Sequence, residues 1–305
     1  MDLTAPSTLG AVITQIMGIL NVTPDSFSDS GRFVDIDTAL DHARQMVADG
    51  ATVIDVGGES TRPGAEVVSI ATELDRVLPV IEAVSQLDVR VSVDTRHAEV
   101  AREAVAAGAT LINDVGASLW QVAAETGSGW LAMHMQGEPS TMQRRPTYGD
   151  VVAQVKDFLV DRGRLATEAG VGEVWIDPGF GFGKSVQHNI DLVASIGEFV
   201  DSPYRVALGV SRKKTLGVIT AWSDQRATGS RYRSAADLPT STLPTDPDDR
   251  LEAGVALATW AMASGVQMIR VHDVAAHVRA ARLVADSPAP ATPVGRYIPA
   301  GSAGR

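Results

Sequence analysis

Eight short apolar runs in this chain each end in residues that can bind or polarise a ligand. They are ILN at Asn21, DVGGESTR from Asp55 to Arg62, VSVDT at Asp94, LINDV at Asn113, LAMHMQ at His134, VWIDPGFGFGK at Asp177, ALGVSRKK at Ser211 and MIRVHD at Arg270. Val, Ile and Leu suit buried strands, whereas an amide, carboxylate or guanidinium costs free energy when buried without a partner. Polar residues gathered at one end of every strand are therefore expected to share a ligand, and the pattern points to an enzyme.

Asp94, Asn113 and Asp177 form the sharpest set. Each ends a strand, and together they offer carboxylate and amide oxygens with amide N–H groups, the pattern that meets the ring N–H and NH2 edge of an aminopyrimidinone heterocycle. The segment DPGFGFGKS is not a phosphate-binding P-loop, because that motif needs Gly at 178, where this chain has Pro. Its glycines instead allow a tight turn beside a ligand, with Phe182 placed to stack. In the triplet Arg270 to His272, strand alternation sends Arg270 and His272 to the same side, a pair suited to the several anionic oxygens of a diphosphate. SRKK adds Lys213 and Lys214 at the preceding strand end. After the first strand, Asn21 is followed by Asp25, Ser26, Phe27, Ser28 and Asp29, an oxygen-rich loop that fits a hard cation such as Mg²⁺. Gly57 and Gly58 lead into Ser60, Thr61, Arg62 and Pro63, a partly rigid loop with one cation. Asp55 lies inside its strand and reads as an interior carboxylate with polar partners. His134 also reads as structural.

The net charge of −11 argues against nucleic-acid binding, which needs a basic face to displace counterions. Any bound anion must meet local cations, and the candidates beside strand ends are Lys184, Arg212, Lys213, Lys214, Arg270 and His272. The 45% hydrophobic content is enough for a large core. With no Cys, thiolate zinc sites, disulfides and cysteine nucleophiles are excluded. Residues 1–14 lack a basic segment followed by a long apolar core, and no apolar run reaches membrane-spanning length, so a cytoplasmic location is expected.

The elements that must position these residues alternate. Strands are predicted near 15–20, 52–57, 90–94, 110–115, 129–135, 173–178, 205–211 and 267–272. Helical patterns are predicted at 37–49, 71–86, 97–107, 120–126, 150–169, 188–200, 250–264 and 275–286. Eight strand–helix repeats close most economically into a single-domain α/β protein, a (β/α)8 TIM barrel. A doubly wound open sheet is the rival, but it gathers ligand residues at one switch point instead of after every strand. The expected organisation is a flexible N-terminus at 1–14, a barrel over 15–287 with a loop insertion at 223–249, and a disordered tail at 288–305. The insertion and tail are rich in Pro, Ser, Thr and small residues and lack apolar periodicity.

Taken in order, GILNVTPDSFSDSG, DVGGESTRPGA, SVDT, NDV, MHMQG, DPGFGFGK, SRK and RVHD resemble the dihydropteroate synthases, a pterin-binding TIM-barrel family, over roughly residues 15–287. The resemblance implies condensation of 6-hydroxymethyl-7,8-dihydropterin diphosphate with 4-aminobenzoate, giving 7,8-dihydropteroate and diphosphate in folate biosynthesis. It implies that Asp94, Asn113, Asp177 and Lys213 hold the pterin, with Val115, Met133 and Phe182 packed around the ring. Asn21, Arg270 and His272 would bind the diphosphate, with Mg²⁺ on Asn21 and Asp29 close by. Phe27, Asp29, Thr61, Arg62, Pro63 and Lys214 would shape the 4-aminobenzoate pocket. Asn21, Lys213, Arg270 and His272 are the expected catalytic groups. A homodimer and a sulfonamide target are also implied. Lys214 departs from the Ser that many relatives carry, the segment after Asn113 is short, and the 223–249 insertion is long. Those departures motivate one alternative, a non-catalytic pterin-binding paralogue with a regulatory or scaffold role. A cobalamin-linked methyltransferase would explain the pterin edge but not SRKK or the diphosphate pair.

Overall fold

The computed structural model describes residues 14–23, 36–59, 68–137, 141–227 and 245–286. Its centre is a closed barrel of eight parallel strands in sequential order: β1 (Gln15–Asn21), β2 (Val53–Gly57), β3 (Arg90–Asp94), β4 (Leu111–Asp114), β5 (Gly129–Met133), β6 (Val174–Asp177), β7 (Arg205–Gly209) and β8 (Met268–Val271). Parallel neighbours need long crossovers, and helices supply them. The described helices are α1 (Ile36–Ala48), α2 (Ile70–Val84), α3 (Ala98–Ala106), α4 (Trp120–Thr126), α5 (Val151–Glu168), α6 (Val186–Ala194), α7 (Ile196–Val200), α8 (Lys214–Ala227), α9 (Leu251–Ala263) and α10 (Val274–Asp286).

Local chemistry sets their ends. The Ser69 hydroxyl accepts the Thr72 N–H ahead of α2, and the Asp150 carboxylate accepts the Ala153 N–H at the start of α5. Beyond α3 the chain turns through Gly108 at φ 121°, a left-handed conformation that suits glycine after a helix.

Strand alternation divides the residues. Outward side chains join the helices in the large core, while Met17, Val53, Leu111, Leu131, Trp175, Ala207 and Met268 form a separate plug inside the barrel. At the N-terminal end, Arg90 and Glu173 make a two-pronged ion pair at 2.9 and 2.7 Å, and Trp175 Nε1 donates to the same carboxylate at 2.7 Å. Gly129 leaves room for that pair, since a Cβ there would lie 2.9 Å from Arg90 Nη2. The barrel is thus plugged in the middle and closed at its floor. Above the plug the inward positions include Ile19, Asp55 and Ser92, and above these lie the polar strand ends.

Two element expectations change. The helix predicted at 188–200 is broken at Ser195 into α6 and α7. The stretch 214–227 forms α8, so helix extends past 223, where the insertion is expected to begin. Leu216 and Val218 on α8 are buried, but as positions two apart they lie on different sides of the helix, so the stretch carries no clear helical period. Residues 228–244, the N-terminal 1–13 and the tail 288–305 lie outside the described residues.

Candidate active site

The strand register brings the predicted residues to one level. Asn21 pairs with Gly57, Gly57 with Asp94 and Asp94 with Asn113; farther round, Met133 pairs with Asp177 and Gly209 with Arg270. Period-two alternation aims these side chains into the mouth of the barrel. Gly57 and Gly209 hold the same rank without side chains, which leaves space there. A Cβ at Gly209 would lie 3.8 Å from both Arg270 Cβ and Asp177 Oδ2.

Arg270 organises one side of the mouth. Its Nε donates to Asp55 Oδ2 at 2.6 Å and its Nη2 to Asp94 Oδ2 at 2.6 Å. Asn113 Nδ2 donates to the same Asp55 oxygen at 2.9 Å. One guanidinium and two carboxylates therefore tie β2, β3, β4 and β8 together. Asp55 is fully buried one layer below the rim, so it acts on its neighbours and not on solvent. Burial opposes the charge on Arg270, and Asp55 and then Asp94 outweigh it, so its pKa is raised. Burial pushes Asp94 up to about 7; Arg270 pulls it down, while Asp55 and Glu73 add to the rise.

Opposite this clamp, Asp177 Oδ1 accepts the Gly179 N–H at 2.7 Å and Oδ2 accepts the Gly209 N–H at 3.2 Å. Its pKa is raised, mainly by burial and against those two donors. Beside it Val115, Met133, Met142 and Phe182 form an apolar cluster distinct from both cores, with Met135 packed on it. Lys213 Nζ lies 3.7 Å from the centroid of the Phe182 ring, a cation on an aromatic face. The mouth thus combines an apolar wall, buried hydrogen-bonding groups and a lysine, which suits a flat polar heterocycle.

On the β7–β8 side, Ser211 Oγ accepts the His272 N–H at 3.2 Å and lies 3.1 Å from His272 Nδ1, which orients the ring. Arg212 pairs with Asp273 at 2.9 Å. Its own carbonyl accepts from Arg250 Nη1 at 2.8 Å, and Arg250 also donates to the Thr245 carbonyl, at 2.9 Å through Nε. The turn carrying Lys213 and Lys214 is thereby tied to the chain around Thr245 and Arg250. Lys214 opens α8 and is exposed.

The local cations expected from sequence need two corrections. Lys184 is 3% exposed and turns inward, toward the carbonyls of His134, Gly179 and Phe182, away from any ligand. Arg212 points to Asp273 and belongs to the cross-tie between the two loops. His134 is structural as expected: burial, followed by the charge of Lys184, holds its pKa down at about 3, so it is neutral. Phe27, Asp29, Thr61, Arg62 and Pro63 lie outside the described residues. Three contributors carried no assignment in the sequence: Asp55 as the partner of Arg270, Ser211 as the prop of His272, and Asn189. Asn189 accepts the Gly181 N–H at 2.7 Å and donates to Thr215 at 2.9 Å. Each was visible as a polar residue at a strand end or on a helix, but its partner lies far away in sequence.

The raised pKa of Asp94 makes a testable difference to stability. Between pH 4 and 7 the folded protein keeps a proton that the unfolded chain has released, so this carboxyl favours the fold least above pH 7. Asp94→Asn stays neutral throughout. Its stability relative to the parent, measured by urea unfolding, is expected to be higher at pH 8 than at pH 5; an equal or opposite difference would show that Asp94 is charged across that range.

Comparison with known proteins gives this geometry its family. A model described as "Pterin binding enzyme" matches residues 17–272. The dihydropteroate synthase of Escherichia coli K12 is 42% identical over 276 residues, covering 88% of this chain and 90% of that protein. The Yersinia pestis dihydropteroate synthase, solved with a sulfonamide drug, superposes with a TM-score of 0.76 at 42% identity, covering 93% of this chain and 98% of the other. The Xanthomonas albilineans dihydropteroate synthase, solved with 4-aminobenzoic acid, gives 0.75 at 39% identity over 90% and 94%. A barrel mouth of this composition, matched over almost its whole length, places the chain in the dihydropteroate synthase family of pterin-binding enzymes.

Proposed function

We propose that the mouth of the barrel is divided among three parts of the family's reaction. Asp94, Asn113, Asp177 and Lys213 hold the dihydropterin, and Val115, Met133 and Phe182 pack on its ring. The observation that carries this division is the separate apolar cluster beside the buried Asp177. Asn21, Arg270 and His272 take the diphosphate, and the loops bearing Phe27, Asp29, Thr61, Arg62, Pro63 and the backbone near Lys214 receive 4-aminobenzoate.

The chemistry asks for orientation and charge neutralisation more than for a nucleophile. The bond from the exocyclic carbon to the diphosphate oxygen breaks, with its electron pair leaving on the diphosphate. The electron-rich pterin stabilises that carbon, the amine nitrogen then forms the C–N bond, and one proton leaves the nitrogen. The arylamine is already neutral near pH 7, so no strong base is needed. Arg270 and His272 face the departing charge, and a fixed donor aimed at such charge is worth about 2.7 to 4 kcal/mol.

Asn21 fits a metal role of limited kind. Among the described residues no group of three or more His, Asp or Glu could cage a cation. A Mg²⁺ held through the Asn21 amide oxygen would complete its shell with waters and diphosphate oxygens, the mode this ion favours. When bound it supplies positive charge against the leaving diphosphate.

The wider expectations follow the same relatives. The family resemblance implies a homodimer; a single-chain mass by sedimentation at micromolar concentration would contradict it. The sulfonamide bound to the Yersinia pestis relative supports this chain as a target of that drug class. No helix among the described residues is long and apolar enough to cross a membrane.

Purified protein with Mg²⁺ and both substrates is expected to release diphosphate only when 4-aminobenzoate is present; pterin binding without turnover would favour the silent paralogue. Asp177→Ala is expected to weaken pterin binding on the order of 100-fold while the thermal transition moves by a few degrees. Equal loss of binding and of folding would make Asp177 a structural carboxylate.

A further inference from the structure

Lys184 is a buried cation that the division above leaves unused. Its Nζ lies 3.0 Å from His134 Nδ1, 3.2 Å from the His134 carbonyl, 3.1 Å from that of Gly179 and 3.0 Å from that of Phe182. Three carbonyl oxygens from two chain segments thus converge on one spot shielded from water. The Gly179 carbonyl also accepts the Phe182 N–H at 3.0 Å, but all three oxygens face one another at this spot and Lys184 supplies the donor they share.

The two segments are pressed together closely. A Cβ on Gly179 would overlap the His134 carbonyl oxygen, and one on Gly183 would overlap that of Gln136. The glycines at 179, 181 and 183 all have positive φ, at 70°, 84° and 59°, so the turn after β6 is wound to let this contact form. Other ties hold the same turn: the Asp177 carboxylate on Gly179 N–H, the Asn189 amide on Gly181 N–H, and the Tyr148 hydroxyl donating to the Gly183 carbonyl at 3.0 Å. Lys184 joins this turn to the chain just after β5.

The joined residues border the apolar cluster. His134 follows Met133 directly, and Phe182 is itself a member. His134 is kept neutral by burial, so Nδ1 can accept from the ammonium while the ring packs edge-on against Phe158 at 5.1 Å. Among the described residues no side-chain carboxylate is within salt-bridge distance of Lys184; its charge is met by carbonyl dipoles. Burial pulls the Lys184 pKa down to about 7, whereas the negative charge of Asp177 acts to raise it.

We infer that Lys184 is a positioning residue for pterin binding: its ammonium draws the β5 and β6 loops together and sets Met133 and Phe182 against the ring. The inference rests on the assignment of the apolar cluster to the pterin.

The test measures affinity for a pterin lacking the diphosphate, by calorimetry, in the parent protein, Asp177→Ala, Lys184→Met and Lys184→Gln. Pterin binding by the parent and its loss in Asp177→Ala establish the site itself. Lys184→Met, which keeps the length of the chain but no donor, is expected to bind on the order of 10- to 100-fold more weakly, with native circular dichroism. Lys184→Gln, with an amide donor and no charge, should lose less. Native affinity in a folded Lys184→Met would overturn the proposal. Loss of the folded barrel in both Lys184 variants would also overturn it, because the residue would then hold the fold and not the cluster. Failure of the parent to bind any pterin would fall on the site assignment instead.

Discussion

The arrangement of the mouth depends on one guanidinium held between two buried carboxylates. Arg270 on β8 bonds Asp55 on β2 and Asp94 on β3, and Asp55 in turn receives the Asn113 amide from β4. An unpaired charge at this depth would cost several kcal/mol, so removing Arg270 would leave Asp55 buried without its cation. The planar fork of Arg suits this position better than Lys would, because it reaches two carboxylates in fixed directions. The clamp also keeps a cation beside the level where Asn21 and Asp94 end their strands.

The opposite half of the mouth is built by backbone. Asp177 accepts one N–H from the turn after β6 and one from the end of β7, and the glycine turn after β6 lies flat against the chain after β5. The apolar cluster sits between that turn and the polar strand ends, so one wall of the pocket is apolar and the other hydrogen-bonds. Such a surface discriminates by hydrogen-bond pattern, since a ring lacking the matching edge would leave buried groups without partners.

Much of this was legible in the chain. The eightfold alternation predicted the closed barrel, and the residue at each strand end predicted the level at which Asn21, Asp94, Asn113, Asp177 and Arg270 meet. His272 lies one residue beyond β8, where Ser211 and not strand alternation orients its ring. What sequence could not supply was pairing across long separations. Asp55 and Arg270 are 215 positions apart, and nothing local says that an interior carboxylate will meet that guanidinium. Lys184 looked like a ligand cation because it follows a glycine-rich strand end; only the converging carbonyls reveal that it turns inward. The α6–α7 break at Ser195 and the helix through 214–227 were missed because polar residues blur helical periodicity there. The 4-aminobenzoate residues Phe27, Asp29, Thr61, Arg62 and Pro63 remain assigned by resemblance alone.

The central claim is that the geometry of Arg270, and not its charge alone, organises the mouth. Steady-state diphosphate release by Arg270→Lys tests it most directly, since the charge is kept while the two-carboxylate fork is lost. The account predicts a fall in kcat/KM on the order of 10²-fold or more with the barrel still folded. Turnover within a few-fold of the parent would show that a point charge suffices and would contradict it.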